Sequence, residues 1–363
     1  SAPRNSYELA FRNQFYTPRY VVAFLTDNTL GRTWYEMRQG DTKLVEQCRY
    51  MVRPPDEPVP PRAPKDPRHI RVLDPACGSG HFLLYAFELL QTMYLEDYDM
   101  SSSDSSLVED FPDRPTFLLQ IPRLILENNL HGIDIDLRAA QIAALALWLR
   151  AQRAYSEMGI PPRKRPRIRR SNIACAEPMP GEYDMLGEFL RDLKPAVLGK
   201  IVTRIWDRMK LAGEAGSLLK IEREIREEIR QTREMLKKAP QAVQLTLFGP
   251  EQHPVQQILR FDEVTDEAFW EQAEQRVIEA LQHYAQQAGN GQGITRMLFS
   301  HDATQGLAFV RLLQEPFDVV LMNPPFGAPS LGSKEYITAS YPRTKNDLYA
   351  AFVERGLELL RPG

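Results

Sequence analysis

Asn323, Pro324, Pro325 and Phe326 stand directly after the apolar run Phe317–Met322. An amide, two prolines and an aromatic ring at the end of a buried strand make a stiff polar clamp beside a stacking surface. That combination can hold a planar amine while a group is transferred to it. A second motif, Asp74-Pro75-Ala76-Cys77-Gly78-Ser79-Gly80, follows its own apolar run Ile70–Leu73. Gly78 and Gly80 permit a tight turn and a close approach of backbone to ligand, and the turn opens a helix whose N-terminal amides face that ligand. The spacing departs from G-x-G-x-x-G, and no lysine follows as in a phosphate-binding loop. Asp134 ends a third apolar run, at the position where doubly wound sheets carry a carboxylate for ribose hydroxyls. Asp136 competes for that role, since strand alternation puts both carboxylates on one face. As the cap of the following helix it has another use, so Asp134 is preferred.

These residues need a sheet to hold them. Four strands are expected, at 70–74, 130–135, 167–174 and 317–322, with helices over 80–94, 121–128 and 137–157 between them. Residues 1–52 read as an N-terminal helical segment, helical from residue 8, and 53–68 as a proline-rich linker. Residues 69–182 form a cofactor-binding half, 183–300 a helical insertion that breaks the strand–helix alternation, and 301–363 a catalytic half. In the insertion, Ile221, Ile225 and Ile229 recur every four positions, a stripe expected to dock one helix on another. The one dense basic run, Arg163 to Arg170, reads either as a solvated loop or, through Arg163, Lys164 and Arg165, as a phosphate contact.

A chain of 363 residues, 43% hydrophobic and 26% charged, is long enough for one large core or two smaller ones. It has no apolar run long enough to cross a membrane and no apolar signal core at its start. Three scattered cysteines exclude a disulfide framework or a zinc site and suit a reducing cytoplasm. The closing Leu360-Arg361-Pro362-Gly363 reads as a turn toward a further strand, so the chain is expected to be part of a longer polypeptide.

Together the two motifs resemble the amino-group methyltransferases that use S-adenosylmethionine, and among them the N6-adenine DNA methyltransferases of the γ arrangement. Further segments carry the likeness: Phe15-Tyr16-Thr17-Pro18, Leu130 to Asp136, Asn172 to Glu177, and Lys345 to Phe352. Large single-chain restriction–modification enzymes of the Eco57I-like or type IIG-like kind, and the BREX or DISARM phage-defence methylases, are the relevant relatives. The resemblance implies an α/β fold: a Rossmann-like class I methyltransferase sheet with a helical insertion, its seven strands incomplete by residue 363. It implies S-adenosylmethionine as cofactor, with Asp74, Pro75, Ala76, Gly78 and Gly80 at the methionine end and Tyr16, Thr17 and Pro18 covering it. A helix cap by Thr17 is the plainer reading of that segment, and a helix cap is the plainer reading of Asp74. Asp134 would take the ribose and Ile135 the adenine. Ala176 falls where the family carries Asp or Asn, so Glu177 or a backbone group would have to substitute. Asn323 and the Pro324 carbonyl would accept the two hydrogens of adenine N6, with Phe326 stacking on the flipped base. Cys77 lies in the cofactor turn, which argues against a cysteine nucleophile.

Double-stranded DNA is the implied partner, although a net charge of −3 requires any basic DNA surface, such as Arg163–Arg165 or Lys345, to be local. Other defence-system subunits are further candidates. Gln244-Leu245-Thr246-Leu247-Phe248 resembles the peptide by which bacterial proteins dock on the sliding clamp, or else plugs a local gap. Two other functions remain open: an amino-methyltransferase acting on protein glutamine or RNA, and a cofactor- and DNA-binding module with little turnover of its own.

Overall fold

The computed structural model describes residues 17–54, 57–100, 106–168, 171–180, 183–193, 197–227, 230, 266–286, 293–314 and 316–362. Tyr16, the clamp-like peptide Gln244–Phe248, Ile229, Arg169 and Arg170 lie outside them. The chain divides into two units: residues 1–176, 216–218 and 315–363 form the first, and residues 177–215 and 219–314 the second.

The first unit is built on four parallel strands, β1 (Val72–Asp74), β2 (Leu130–Asp134), β3 (Asn172–Cys175) and β4 (Val319–Val320), in the order β3-β2-β1-β4. Order reverses between β1 and β4, so the carboxyl ends of those two neighbours flank the switch-point crevice where such sheets bind ligands. This is a Rossmann-like class I methyltransferase sheet with helical insertions. All of β1 is buried, as a parallel strand covered on both faces must be. Leu360 pairs in parallel with Phe317, so the chain re-enters the sheet beside β4 before its closing Pro-Gly.

The third strand starts later than expected. Residues 167, 168 and 171 are not in the ladder, which begins at Asn172. Pro161, Pro162 and Pro166 stand before that stretch, and residues 162–164 form a short 3-10 turn, so the approach to β3 is not extended ladder. The helix expected over 80–94 continues to Met100, with Phe82, Leu83, Ala86, Phe87, Leu90, Met93 and Tyr94 buried at helical spacing. The helix expected over 121–128 begins earlier, as Arg114–Leu124, and ends in a π-turn over Ile125–Asn129, while the helix Leu137–Glu157 has the expected bounds and buries a stripe of small residues, Ala140, Ala143, Ala151 and Ala154.

The N-terminal helical segment is several short pieces: Arg19–Thr26, a π-turn over Asp27–Gly31, Arg32–Met37 and Leu44–Gln47. Two buried carboxylates fasten them to the helix His81–Met100. Glu96 accepts from Trp34 Nε1 at 2.6 Å, Thr42 Oγ1 at 2.7 Å and the Lys43 amide at 2.8 Å. Asp27 accepts from Tyr85 Oη at 2.8 Å and the Tyr50 amide at 2.9 Å. A buried carboxylate is tolerable only with such partners.

The second unit is helical where described, with helices Tyr183–Asp192, Val197–Met209, Asp266–Gln286 and Gly293–Gln314. The last of these runs across residue 300 and falls whole within this unit. Ile221 and Ile225 are buried, as a docking stripe requires.

Candidate active site

The glycine turn is locked from both sides. The Cys77 amide donates to the Ile133 carbonyl at 2.9 Å and the Gly80 amide to the Cys77 carbonyl at 2.8 Å. Gly78 and Gly80 have φ of 51° and 85°, which only glycine adopts without strain. They serve different ends. A Cβ on Gly80 would meet Ala143 Cβ at 3.2 Å, so this glycine admits the small face of the helix Leu137–Glu157. A Cβ on Gly78 would meet nothing within 4 Å, so this glycine faces open space.

Two carboxylates converge on the turn. Asp74, at the end of β1, is buried and accepts from the Ala76 amide at 3.2 Å. It therefore supports the turn itself and caps no helix. Burial pushes its pKa up to about 8, against the Ala76 hydrogen bond and with the charge of Asp134 adding to the rise. Asp134, at the end of β2, accepts from the Gly78 amide at 2.7 Å and from the Asp136 amide at 2.8 Å. Burial raises its pKa too, opposed by those amides. Among the described residues, no lysine or arginine forms an ion pair with either. Asp136 has the other role open to it: its carboxylate accepts from the Arg138 amide at 2.9 Å and caps the helix.

At the third edge, Ala176 is buried and its amide donates to the Asp134 carbonyl at 2.7 Å, extending the ladder. That amide is committed to the sheet. Glu177 is exposed.

The amide clamp follows β4, with Asn323 three residues past its end. Asn323 Nδ2 donates to Thr17 Oγ1 at 2.9 Å, across 306 residues of sequence. Thr17 accordingly does not cap its helix, whose N-cap is Pro18 without a side-chain bond. With its nitrogen held toward Thr17, the Asn323 amide carries its carbonyl oxygen on the opposite edge. Pro324 is buried and Pro325 half-buried, while Phe326 is 43% exposed. Phe326 stacks on Tyr349, with ring centroids 5.4 Å apart and planes 8° from parallel; Tyr349 is 45% exposed, so the pair forms a two-ring platform open to solvent.

The platform is set by bonds that sequence reasoning missed. Gly327, at φ 94°, accepts at its carbonyl from the Leu348 amide at 2.8 Å, and its amide donates to Asp347 Oδ1 at 3.2 Å. The same Asp347 oxygen caps the helix Leu348–Leu359 through the Tyr349 amide at 2.9 Å. Gly327 and the helix start are thus one hydrogen-bonded unit, and Phe326 lands beside Tyr349. The sequence signal was Asn-Asp before an apolar helix, a capping pattern.

Cys77 is buried, and burial drives its thiol well above the ordinary value, so it cannot supply a thiolate at neutral pH. Among the basic residues, Arg163, Lys164 and Lys345 are exposed. Arg165 instead bonds the Ile160 carbonyl, Gln152 Oε1 and Ser156 Oγ, a structural seat at the end of the helix Leu137–Glu157. Among the described residues no cluster fit to hold a metal ion occurs, and no helix is long and apolar enough to cross a membrane.

Comparison with known proteins adds family information. The model of the Eco57I restriction-modification methylase family matches residues 128–363, and that of the MmeI DNA-methyltransferase domain matches residues 65–168. Over 155 residues the chain is 33% identical to the adenine-specific methyltransferase BrxX of Escherichia coli O9:H4, a match covering 40% of this chain and 11% of that protein. Over 153 residues it is 30% identical to the adenine-specific methyltransferase PglX of Lacticaseibacillus casei, covering 39% and 11%. A putative type II restriction enzyme and methyltransferase of Methanocaldococcus jannaschii is 27% identical over 156 residues, covering 37% and 12%. The chain thus matches about a tenth of the length of each of these curated relatives.

Proposed function

The chain belongs to the Eco57I restriction-modification methylase family, and from that premise we propose that the protein transfers a methyl group from S-adenosylmethionine to N6 of adenine in double-stranded DNA. Its setting would be restriction–modification or phage defence in the cytoplasm, with other defence-system subunits as further partners. The observation that carries this reading is the Thr17–Asn323 bond, which joins the cofactor-covering segment to the amide clamp beside the Phe326–Tyr349 platform.

S-adenosylmethionine is the cofactor of such a methyltransferase domain. The residues present fit it. Asp74 is a buried carboxyl beside no paired cation among the described residues, and it would gain one in the methionine ammonium. Gly78 faces open space where a ligand could approach the backbone. Asp134 would hold the ribose, Ile135 and Ala176 would line the adenine, and Tyr16, Thr17 and Pro18 would cover the methionine end, with Glu177 the polar side chain nearest in sequence to Ala176. When bound, the cofactor supplies an electrophilic methyl group on a sulfonium centre.

The chain's task is to make a poor nucleophile available. The lone pair of adenine N6 is delocalised into the ring. Asn323 Oδ1 and the Pro324 carbonyl accept its two hydrogens and draw the nitrogen toward tetrahedral geometry, which localises the lone pair. Pro324 and Pro325 hold these acceptors in place before the base arrives, which is electrostatic preorganisation and requires no acid or base. Phe326 stacks on the extruded base, a contact worth roughly 1–3 kcal/mol. Arg163, Lys164 and Lys345 are exposed and available for phosphates.

The test is to incubate the full-length protein and its Asn323→Ala variant with tritiated S-adenosylmethionine and mixed-sequence duplex DNA, and to identify the labelled nucleoside. We expect N6-methyl-2′-deoxyadenosine from the parent and none from the variant, with cofactor binding intact in both. Label in the protein or in another nucleoside, or none in the DNA, overturns the reading.

A further inference from the structure

Gly216, Ser217 and Leu218 come from the middle of the segment whose sequence reads as helical insertion, yet they belong to the first unit. All three are buried. Ser217 Oγ donates to the Pro75 carbonyl at 2.8 Å, in the turn that carries Asp74. The Ser217 carbonyl accepts from Arg355 Nε at 2.9 Å, and the Leu218 carbonyl from Tyr341 Oη at 2.7 Å. Arg355 and Tyr341 are themselves buried, at 1% and 0% exposure, so two interior polar side chains are spent on the backbone of one tripeptide. Gly216 sits at φ 53°, and a Cβ there would lie 2.9 Å from Ile135 Cγ2. Leu218 packs in a cluster with Ile337, Tyr341 and Phe352, against which Ala76 and Ile135 lean.

We infer that Gly216-Ser217-Leu218 is a structural wall of the cofactor site, seating Ile135 and pinning the Asp74–Ala76 turn, so that cofactor affinity depends on a tripeptide joined at both ends to the helical unit. This rests on the cofactor assignment proposed above. Gly216 acts by close approach: any side chain displaces Ile135, the residue assigned to the adenine. Ser217 acts by holding the Pro75 carbonyl, and with it the turn bearing the carboxylate assigned to the ammonium. Both are positioning residues.

The experiment is calorimetric titration of the full-length protein with S-adenosylmethionine and, separately, with adenosine. Gly216→Val and Ser217→Ala are compared with a control, Gly159→Val, which carries similar backbone strain at φ 72° but meets open space. We expect Gly216→Val to weaken both ligands roughly tenfold or more, from overpacking at Ile135. Ser217→Ala should weaken S-adenosylmethionine more than adenosine, and Gly159→Val should bind as the parent does. Hydrogen exchange on the parent gives a readout that survives a variant failing to fold: S-adenosylmethionine should slow exchange at the Ser217–Leu219 amides. A parent that binds while Gly216→Val binds equally well, or whose exchange at 217–219 is unchanged by the ligand, overturns the inference. A parent that binds no S-adenosylmethionine overturns the cofactor assignment instead.

Discussion

Asp74→Asn should stabilise the cofactor-free protein at neutral and alkaline pH while removing its grip on S-adenosylmethionine. Asp74 is buried, and its pKa rises from an ordinary 3.8 to about 8 because burial penalises its charge. Between those values the native state keeps a proton that the unfolded chain has released. Stability is therefore full below pH 4, falls as pH rises, and levels off above pH 8. Four pKa units at about 1.4 kcal/mol each put the loss on the order of 5 kcal/mol across the window. Asparagine is nearly isosteric, keeps an oxygen for the Ala76 amide and carries no charge to bury. Denaturant unfolding of parent and variant at pH 4.5 and pH 8, in matched salt and without cofactor, isolates the effect. The variant should gain several kcal/mol over the parent at pH 8 and little at pH 4.5. Saturating S-adenosylmethionine should narrow the gap at pH 8, since only the parent offers an anion to the ammonium. A difference between the two proteins that does not change with pH would refute the reasoning, because it would mean that Asp74 is ionised without cost in the folded state.

Thr17→Val leaves Asn323 without its 2.9 Å acceptor, and should lower kcat by about an order of magnitude with cofactor binding retained; steady-state methylation at saturating DNA measures it. Phe326→Ala removes the stack on Tyr349 and the assigned surface for the base, so DNA containing 2-aminopurine at the target should lose roughly 1–3 kcal/mol of flipped-base stabilisation, read from its fluorescence. Glu96→Leu strands the donors of Trp34, Thr42 and the Lys43 amide, and should cost about 3 kcal/mol in denaturant unfolding.

What could be read from the sequence was what neighbouring residues decide among themselves. The end of β2, the helix cap by Asp136, and the bounds of the helix Leu137–Glu157 all follow from short-range patterns. β3 starts later than the expected 167, because its lead-in carries prolines and a short 3-10 turn before the ladder begins at Asn172. Other features were hidden because their partners lie far apart in sequence. Thr17 reads as an ordinary cap until Asn323, 306 residues away, claims its hydroxyl. Tyr349 is one aromatic on a helix until Gly327 and Asp347 bring Phe326 over it. No local pattern distinguishes Gly216-Ser217-Leu218 from the helical stretch around it, since its meaning lies in Pro75, Ile135, Tyr341 and Arg355.

The pairing of β1 with β4 has a consequence for synthesis. Val72 pairs with Val319, and the Arg71 amide donates to Asp318 across 247 residues. At ribosomal speeds of about 5–20 residues per second, β1 waits on the order of 10–50 s for its partner. During that interval β2 can cover one edge of β1 while the other stays bare, an aggregation hazard during biogenesis. Pulse-labelled nascent chains stalled before residue 317 would therefore be expected to recruit a holdase, and chains released past the β4 segment to shed it.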